Sequence, residues 1–203
     1  KIVARNHQFL GVNRALAAVK DRKARAGKLG VFWHTQGSGK SYSIAFLTQK
    51  THRKLGGNFT FLICTDRVDL DSQIYGTFAG CGLVNNNADK VRAGSGKELK
   101  EMLALQKRYV FTLIHRFNQD VGDGEPYSSR DDIIVITDEA HRTQNGLLAL
   151  NLTNALPNAA RIGFTGTPLM TGDEITKQTF GDYISTYDFQ RAVEDNATVP
   201  LYY

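Results

Sequence analysis

Five short apolar segments recur along the chain at intervals of about thirty residues, separated by polar stretches with helical spacing of their apolar residues. Within each segment, Val, Ile, Phe and Leu follow one another with little alternation, which is typical of strands buried on both faces. This succession of strand, helix and strand predicts βαβ units, and therefore an α/β fold with a mostly parallel sheet flanked by helices. The predicted strands are Leu29–His34, Phe59–Cys64, Tyr109–Ile114, Ile133–Thr137 and Arg161–Thr165.

Helical spacing also predicts where the connecting elements lie. The predicted helices are Gln8 to Ala26, Ser41–Lys54, Val68–Phe78, Lys97–Lys107 and Gly146–Ala155. Two polar stretches rich in Gly, Asn, Ser or Asp, Val84–Gly96 and Asp120–Asp132, are expected to be loops, the second of them mobile. A helical turn at Asp188–Val193 and an extended Val199–Tyr203 are expected at the end of the sequence.

Composition narrows the class of protein. The 203 residues are 41% hydrophobic and 22% charged, as in ordinary globular proteins, which excludes disordered, collagen-like and disulfide-framework chains. No apolar run reaches the roughly 20 residues of a membrane span, and the first residues lack the apolar core of a signal peptide. We therefore expect a cytoplasmic protein without membrane contact. Cys64 and Cys81 have no CxxC partner, as expected in a reducing compartment. The net charge of +5 is compatible with a nucleic-acid partner, but on charge alone an ordinary basic surface is the better explanation.

The segment His34–Ser41 (HTQGSGKS) follows a predicted strand and opens a predicted helix, as a phosphate-binding loop requires. Its two glycines let backbone N–H groups turn toward phosphate oxygens, and the helix N-terminus adds the positive end of its dipole. Lys40 is predicted to reach the β- and γ-phosphates of ATP, and the Ser41 hydroxyl to ligate Mg²⁺. The usual first glycine is replaced here by His34. The predicted ATP-binding residues of the loop are Thr35, Gln36, Gly37, Ser38, Gly39, Lys40 and Ser41.

A second GSGK sequence, Gly94–Lys97, is interpreted differently. It follows no predicted strand, and Glu98 stands where a phosphate-binding loop needs Ser or Thr. Glu98 and Lys100 also form an ExK pair like that of many nucleases, with Asp89 upstream, but the surrounding pattern is helical and would not place these side chains on one strand face. We therefore interpret this segment as a loop followed by a helix start.

The segment Ile133–His141 (IIVITDEAH) ends a buried strand in two consecutive carboxylates. In an open parallel sheet, ligands bind at the carboxyl ends of the strands, so both carboxylates should lie near the phosphate-binding loop. Asp138 is predicted to hold the Mg²⁺, directly or through water, and Glu139 to deprotonate the attacking water. Lys40, Asp138 and Glu139 are thus the predicted catalytic residues.

A third segment, Gly163–Pro168 (GFTGTP), also closes a predicted strand and should face the same edge. Thr165 and Thr167 would place hydroxyls and backbone amides near the nucleotide. Taken by itself, the segment would be read as a plain Thr/Gly turn, and its place as third in the series favours the functional interpretation.

The ordered set TQGSGKS, DEAH and TGTP resembles that of the superfamily 2 helicases and translocases. The resemblance implies a RecA-like P-loop NTPase domain that uses ATP and Mg²⁺. Within Ala4–Gln8, Gln8 resembles the adenine-contacting glutamine of an RxxQ element, the alternative being a polar helix N-terminus. By resemblance His141 couples the nucleotide to Thr165 and Thr167, and the alternative is a structural histidine.

Longer matches narrow the resemblance to one group of motors. The segments WHTQGSGKS, ICTDRVDLDSQ, ITDEAHRTQNG, IGFTGTPL and AVEDNATVPLYY together resemble the motor subunit of type I restriction–modification enzymes. The resemblance implies ATP-driven translocation of double-stranded DNA before cleavage, in a bacterial or archaeal complex with specificity and methylation subunits. Arg67, in a segment that resembles motif Ia, would face the DNA backbone, as would His115 and Arg116. For the last two, ordinary surface charge is an equal alternative.

This resemblance also implies how the chain is divided. We expect one RecA-like lobe, with an N-terminal helical segment at 1–28, a motif-bearing core at 29–170 and an extension at 171–203 toward a second lobe that the 203 residues do not contain. Without the arginine of that second lobe, the isolated fragment is expected to be inactive. Two alternatives remain open: another superfamily 2 motor, such as an RNA helicase or chromatin-type remodeller, and a nucleic-acid-binding module without ATPase activity.

Overall fold

A computed structural model of the chain describes residues 2–85, 90–118, 126–140, 146–168 and 174–198. Its strands are β1 (Lys28–His34), β2 (Thr60–Thr65), β3 (Tyr109–Leu113), β4 (Ile133–Thr137), β5 (Ala160–Thr165) and β6 (Tyr183–Tyr187). Its helices are α1 (Asn6–Lys20), α2 (Lys40–Leu55), α3 (Val68–Gly80), α4 (Gly96–Ala104), α5 (Gly146–Ala155), α6 (Glu174–Phe180) and α7 (Phe189–Glu194), with a 3₁₀ helix at Ile114–Asn118. None of these helices is long and apolar enough to cross a bilayer.

The six strands form one sheet in the order β3-β2-β4-β5-β1-β6, and every neighbouring pair is parallel. All the strands therefore end at one edge, the carboxyl edge of the sheet. The register pairs Trp33 with Thr165 and Thr137 with Gly163, so the ends of β1, β5 and β4 lie side by side. Because β5 lies between β4 and β1, the segment after β5 is placed between the phosphate-binding loop and the acidic pair.

The sheet is buried on both faces, which explains the absence of alternation in the strand sequences. On one face, Phe32, Phe61 and Ile63 pack in a core with apolar residues of α1, α2 and α3. On the other face, Leu62 and Val135 pack with residues of α4 and α5. Every residue of β2 and β4 is buried. The predicted α/β fold and its five strands are confirmed, with strand bounds within one residue.

Two predicted helix ends lay several residues too far along the chain, and two elements were missed. The first helix ends at Lys20 rather than Ala26, because Ala26 and Gly27 adopt positive φ angles of 49° and 76° that turn the chain into β1. Similarly, α4 ends at Ala104, just before Gln106 with φ of 49°. Strand β6 was missed because it is an edge strand with an incomplete apolar pattern, and α6 was also missed.

The expected loops and the tail are described in part. In the first loop, Arg92 makes a parallel bridge with Phe111, so residues near it extend the sheet beside β3. Residues 86–89 of the first loop, residues 120–125 of the second and the expected extended Val199–Tyr203 lie outside the described residues. The helical turn predicted at Asp188–Val193 is α7, and the Asp188 carboxylate caps it by accepting a 2.9 Å hydrogen bond from the Arg191 backbone.

The end of the second loop is anchored by one arginine. The Arg130 guanidinium donates to the Asp132 carboxylate at 2.8 Å, to the Leu103 carbonyl at 2.9 Å and to the Thr60 hydroxyl at 2.9 Å. It thereby joins the loop to the end of α4 and the start of β2. The last residues of the loop are thus tied to the rest of the fold, and the expected mobility of the loop stays a prediction.

We predict that Arg130→Ala lowers the free energy of unfolding by about 2 to 3 kcal/mol, because charge-assisted hydrogen bonds contribute most when their buried acceptors are left unpaired. The control is Lys23→Ala, which breaks the neighbouring exposed Lys23–Asp131 pair at 3.1 Å and should cost at most about 1 kcal/mol. Urea unfolding measures both variants. Equal losses would show that Arg130 is an ordinary surface residue.

Candidate nucleotide-binding site

The three predicted motifs meet around Gly166. A methyl group placed on this glycine would lie 3.1 Å from the Lys40 Nζ, 3.8 Å from the Gln36 backbone nitrogen and 3.9 Å from the Glu139 Oε1. Residues that follow β1, β4 and β5 are therefore within a few ångströms of one another. The predicted convergence of Lys40, Glu139 and the Thr/Gly segment at the carboxyl edge is what the structure shows.

The phosphate-binding loop has the backbone that its sequence predicts. Gly37 and Gly39 adopt φ angles of 81° and 82°, in the left-handed region that favours glycine. No side chain caps the N-terminus of α2, because the cap residue is Gly39 itself. The N–H groups of the first turn, beginning at Lys40, therefore have no acceptor from the cap residue and are suited to bind an anion.

Gln8 of α1 forms hydrogen bonds with the backbone of this loop. Its Nε2 donates to the carbonyls of Gly39 at 3.0 Å and Ser38 at 3.3 Å, and its Oε1 accepts from the Arg5 backbone at 2.9 Å. A methyl group on Gly39 would lie 2.5 Å from the Gln8 Nε2, so close approach as well as φ requires glycine there. Gln8 therefore positions the loop, and its predicted contact with adenine stays a prediction.

A second set of contacts, which the sequence did not reveal, holds the loop from the β6 side. His34, which replaces the usual first glycine of the loop, is buried, and its Nε2 lies 2.8 Å from the Ser185 hydroxyl. The Thr35 backbone donates to the Tyr187 carbonyl at 2.9 Å. The His7 ring stacks on Tyr187 with centroids 3.9 Å apart, and its Nε2 lies 2.9 Å from the Ser38 carbonyl. Because β6 itself was missed, Ser185 and Tyr187 could not be assigned as partners of the loop from the sequence.

The environment of His34 keeps its imidazole neutral. Its side chain is 1% exposed, and burial, with smaller contributions from His7 and Lys40, lowers the pKa of His34 to about 3. A neutral ring near the loop adds no positive charge beside Lys40. It also keeps its hydrogen bond to Ser185 throughout the physiological pH range.

The acidic pair differs in burial and in backbone conformation. Asp138 is 7% exposed, and its Oδ1 has no hydrogen-bond partner among the described residues. Burial first, and then the neighbouring Glu139, raise the pKa of Asp138 to about 6, although Lys40 opposes the shift. Glu139 adopts a φ of 53°, a conformation that costs a residue with a side chain of order 1 kcal/mol or more and is frequent at functional sites.

These features fit the expected Mg²⁺. A buried carboxylate oxygen without a donor is costly unless a cation pairs with it, and Mg²⁺ prefers oxygen ligands. Ser41, the second residue of α2, is half-buried and follows Lys40 in the same turn. Asp138 and Ser41 are therefore suitable residues to hold the ion.

The Thr/Gly segment forms a small turn of its own. The Thr165 hydroxyl lies 3.0 Å from the Thr167 carbonyl and accepts from the Thr167 backbone at 3.2 Å. Thr165 is buried, whereas Thr167 is exposed toward the edge. His141 lies outside the described residues, so its predicted coupling to these threonines stays a prediction.

The predicted DNA-contacting residues lie after β2 and β3, toward the other end of the same edge. Arg67 precedes α3, is half exposed, and its Nε lies 3.9 Å from carboxylates of both Asp66 and Asp69. His115 is exposed and Arg116 is half-buried in the 3₁₀ helix. The surroundings of Arg67 are thus not strongly basic, and DNA contact at these three residues stays a prediction.

A parallel sheet with a phosphate-binding loop after β1 and an acidic pair after β4 defines a P-loop NTPase domain of the RecA-like kind. The chain belongs to the SWI2/SNF2 ATPase family, whose profile matches residues 7–203. The UvsW helicase of bacteriophage T4 has a similar fold, with a TM-score of 0.65, 16% identity, and coverage of 90% of this chain and 60% of that chain.

Two curated proteins that are similar to this chain are named as endonuclease subunits of type I restriction enzymes. The HindI endonuclease subunit of a type I restriction enzyme from Haemophilus influenzae is 40% identical over 100% of this chain and 21% of its own length. A Methanocaldococcus jannaschii protein named as the MjaIXP endonuclease subunit is 36% identical over 100% of this chain and 20% of its own length. A Vibrio vulnificus fragment described as an HsdR subunit shares the fold, with a TM-score of 0.61, 19% identity, and coverage of 96% of this chain and 32% of that chain. The chain therefore spans about a fifth of the length of the curated relatives it matches, and the predicted resemblance to this group is confirmed.

The raised pKa of Asp138 predicts a stability that depends on pH. The folded protein holds the carboxyl proton more tightly than the unfolded chain, in which the pKa of the Asp138 side chain is 3.8. Stability from this group is therefore present below pH 3.8 and is lost as the pH rises through about 6. At neutral pH without ligands, Asp138→Asn should be more stable than the wild type by up to about 3 kcal/mol.

Urea unfolding at neutral and at acidic pH, without Mg²⁺ or nucleotide, measures this difference. Asp69→Asn, at a carboxylate that is 70% exposed, is the matched control and should change little. A wild type that is as stable as Asp138→Asn at neutral pH would contradict the prediction.

The neutral state of His34 is also measurable. We predict that its ring resonances stay constant when the folded protein is titrated from about pH 8 to pH 5, whereas in urea they follow the ordinary histidine value of about 6.5. The stability that its burial supplies at neutral pH is lost as the pH falls below 6.5 toward 3. A His34 ring that titrates between pH 5 and 8 in the folded protein would show that the ring is hydrated.

Proposed function

We propose that this chain is the ATP-binding and ATP-hydrolysing first motor lobe of a type I restriction enzyme subunit, which translocates double-stranded DNA before cleavage. The observation that supports it best is the approach of Lys40 and Glu139 to Gly166, which brings together three segments from separate strands. The restriction-enzyme relatives favour this motor over an RNA helicase or a remodeller.

In this proposal the residues of the site have separate roles. Lys40 and the N–H groups of the phosphate-binding loop bind the phosphates of ATP, with Thr35 to Ser41 surrounding them. Ser41 and Asp138 hold Mg²⁺, which supplies charge neutralisation at the phosphate oxygens when it is bound. Glu139 orients the attacking water and accepts its proton. Catalysis then depends mainly on positioning and on charge stabilisation.

The proposal extends to the whole protein. We infer that residues 1–28, 29–170 and 171–203 are the helical segment, motif-bearing core and extension of one lobe, and that a second lobe supplies an arginine to the transition state. The partners would be double-stranded DNA and the specificity and methylation subunits of the complex, in the cytoplasm of a bacterium or archaeon. Free thiols at Cys64 and Cys81 accord with that compartment.

Two substitutions separate binding from chemistry. Lys40→Ala should abolish measurable Mg-ATP binding by isothermal titration, because it removes the cation that faces the phosphates. In the full-length protein, Glu139→Gln should still bind ATP while DNA-stimulated turnover falls by roughly 10²–10⁴-fold, the loss typical of removing a general base. Glu194→Gln, at an exposed glutamate of α7, is the control and should retain wild-type turnover.

The two results are independent. Unchanged affinity in Lys40→Ala would refute the phosphate-binding role of the loop. Wild-type turnover in Glu139→Gln would show that another group accepts the proton.

A further inference from the structure

The positive charge of this protein is concentrated in two short segments. Residues 20–28 and 52–54 contain seven of the 25 lysines and arginines but only one of the 20 acidic residues, Asp21. They therefore carry a charge of +6, while the rest of the chain, with 18 cations and 19 anions, is slightly negative. The net charge of +5 is thus a property of one region and not of the whole surface.

The fold brings these segments to one place. Residues 20–28 connect the end of α1 to the start of β1, and residues 52–54 form the last turn of α2 before β2 begins. The Arg22 guanidinium lies 5.0 Å from the ring centroid of Phe59, which is in the connection from α2 to β2. Both segments therefore lie at the amino edge of the sheet, and we call their cations the amino-edge surface: Lys20, Arg22, Lys23, Arg25, Lys28, Arg53 and Lys54.

These cations are available to a partner. All except Arg22 are exposed, and Arg22 is half-buried. Among the ion pairs of the described residues, only one includes a member of this surface, the exposed Lys23–Asp131 pair. Lys20, Arg53 and Lys54 lie in the last turns of α1 and α2, where the negative end of the helix dipole favours cations. Helix stabilisation therefore explains why these three residues are basic. It does not account for Lys23, Arg25 and Lys28, which follow the end of α1.

We propose that the amino-edge surface binds the phosphate backbone of duplex DNA, as a contact separate from the carboxyl edge that holds the nucleotide site. The proposal rests on the proposed function, since duplex DNA is the substrate of that motor. Flexible, exposed lysines and arginines suit phosphates rather than base edges. The two segments contain no Phe, Tyr or Trp on which unpaired bases could stack, which favours a duplex over a single strand.

The position of the amino-edge surface predicts that DNA binding there does not affect ATP binding. A strand of seven residues such as β1 separates the two edges by about 20 Å. DNA held at the amino edge would therefore not occupy the nucleotide site, and ATP binding should be independent of this contact. Binding should not depend on base sequence and should weaken steeply with salt, because counterions are released from the phosphates.

The test compares two triple variants of the full-length protein with equal net charge. The edge variant is Arg25→Gln, Arg53→Gln and Lys54→Gln, and the control variant is Lys97→Gln, Lys100→Gln and Lys177→Gln. All six residues are exposed, and none is in an ion pair of the described residues. Fluorescence anisotropy measures the affinity for a labelled duplex of arbitrary sequence at several salt concentrations. Isothermal titration measures Mg-ATP binding, and the unfolding midpoint verifies folding.

We expect the edge variant to bind the duplex at least about tenfold more weakly at low salt than the control variant, and its slope of log K against log[salt] to fall by up to about 2.7. Its Mg-ATP affinity should equal that of the control variant. Equal DNA affinities for the two variants would overturn the proposal. The proposal would also be overturned if the edge variant lost binding to polyglutamate but kept its DNA affinity, because the surface would then bind an acidic protein segment.

Failure of this proposal and failure of the proposed function are distinguishable. Equal DNA affinities of the two triple variants would leave the roles of Lys40 and Glu139 in ATP turnover intact. Unaffected turnover in Glu139→Gln would refute the proposed chemistry but would not alter the difference between edge and control variants.

Discussion

The candidate site depends on the close approach of the Lys40 ammonium and the Glu139 carboxylate to the same residue, Gly166. These groups can approach because β5 is inserted between β4 and β1, and because all six strands point the same way. A side chain at position 166 would occupy the gap between cation and carboxylate. The sheet order and one glycine therefore determine whether three segments act as one site.

The site contains a buried carboxylate and a strained backbone conformation, and both destabilise the folded protein. Asp138 is buried with an oxygen that has no partner among the described residues, and Glu139 is held in a left-handed backbone conformation. Each of these features opposes folding in the absence of a ligand. The buried sheet and its two apolar cores stabilise the protein enough to keep them in place. Their concentration at one edge, together with the orphan oxygen of Asp138, is what distinguishes a binding site from an ordinary turn.

The two edges of the sheet differ in charge and in how many of their side chains are held by hydrogen bonds. At the carboxyl edge, His7, Gln8 and Ser185 hold the phosphate-binding loop through hydrogen bonds to backbone and side-chain atoms. At the amino edge, the cations are mostly exposed and unpaired among the described residues. A site whose loop is held by such hydrogen bonds suits recognition of one small ligand, whereas exposed cations suit a long polyanion of any sequence. This division accords with the proposed motor, which would have to bind its nucleotide in one geometry and DNA of any sequence.

The sequence by itself determined five of the six strands, the parallel sheet, the left-handed glycines of the phosphate-binding loop and the edge at which Lys40, Asp138 and Glu139 meet. These follow from local information, since apolar runs bury both strand faces and strand ends in a parallel sheet share one edge. The edge strand β6 escaped prediction because its half-exposed residues lack a continuous apolar run, and with it were lost Ser185 and Tyr187 as partners of His34 and Thr35. Only the tertiary structure decided the strand order, the burial of Asp138 and the joining of residues 20–28 and 52–54 into one surface. These properties depend on contacts between residues far apart in the chain, and no local pattern encodes which distant segment will be the neighbour.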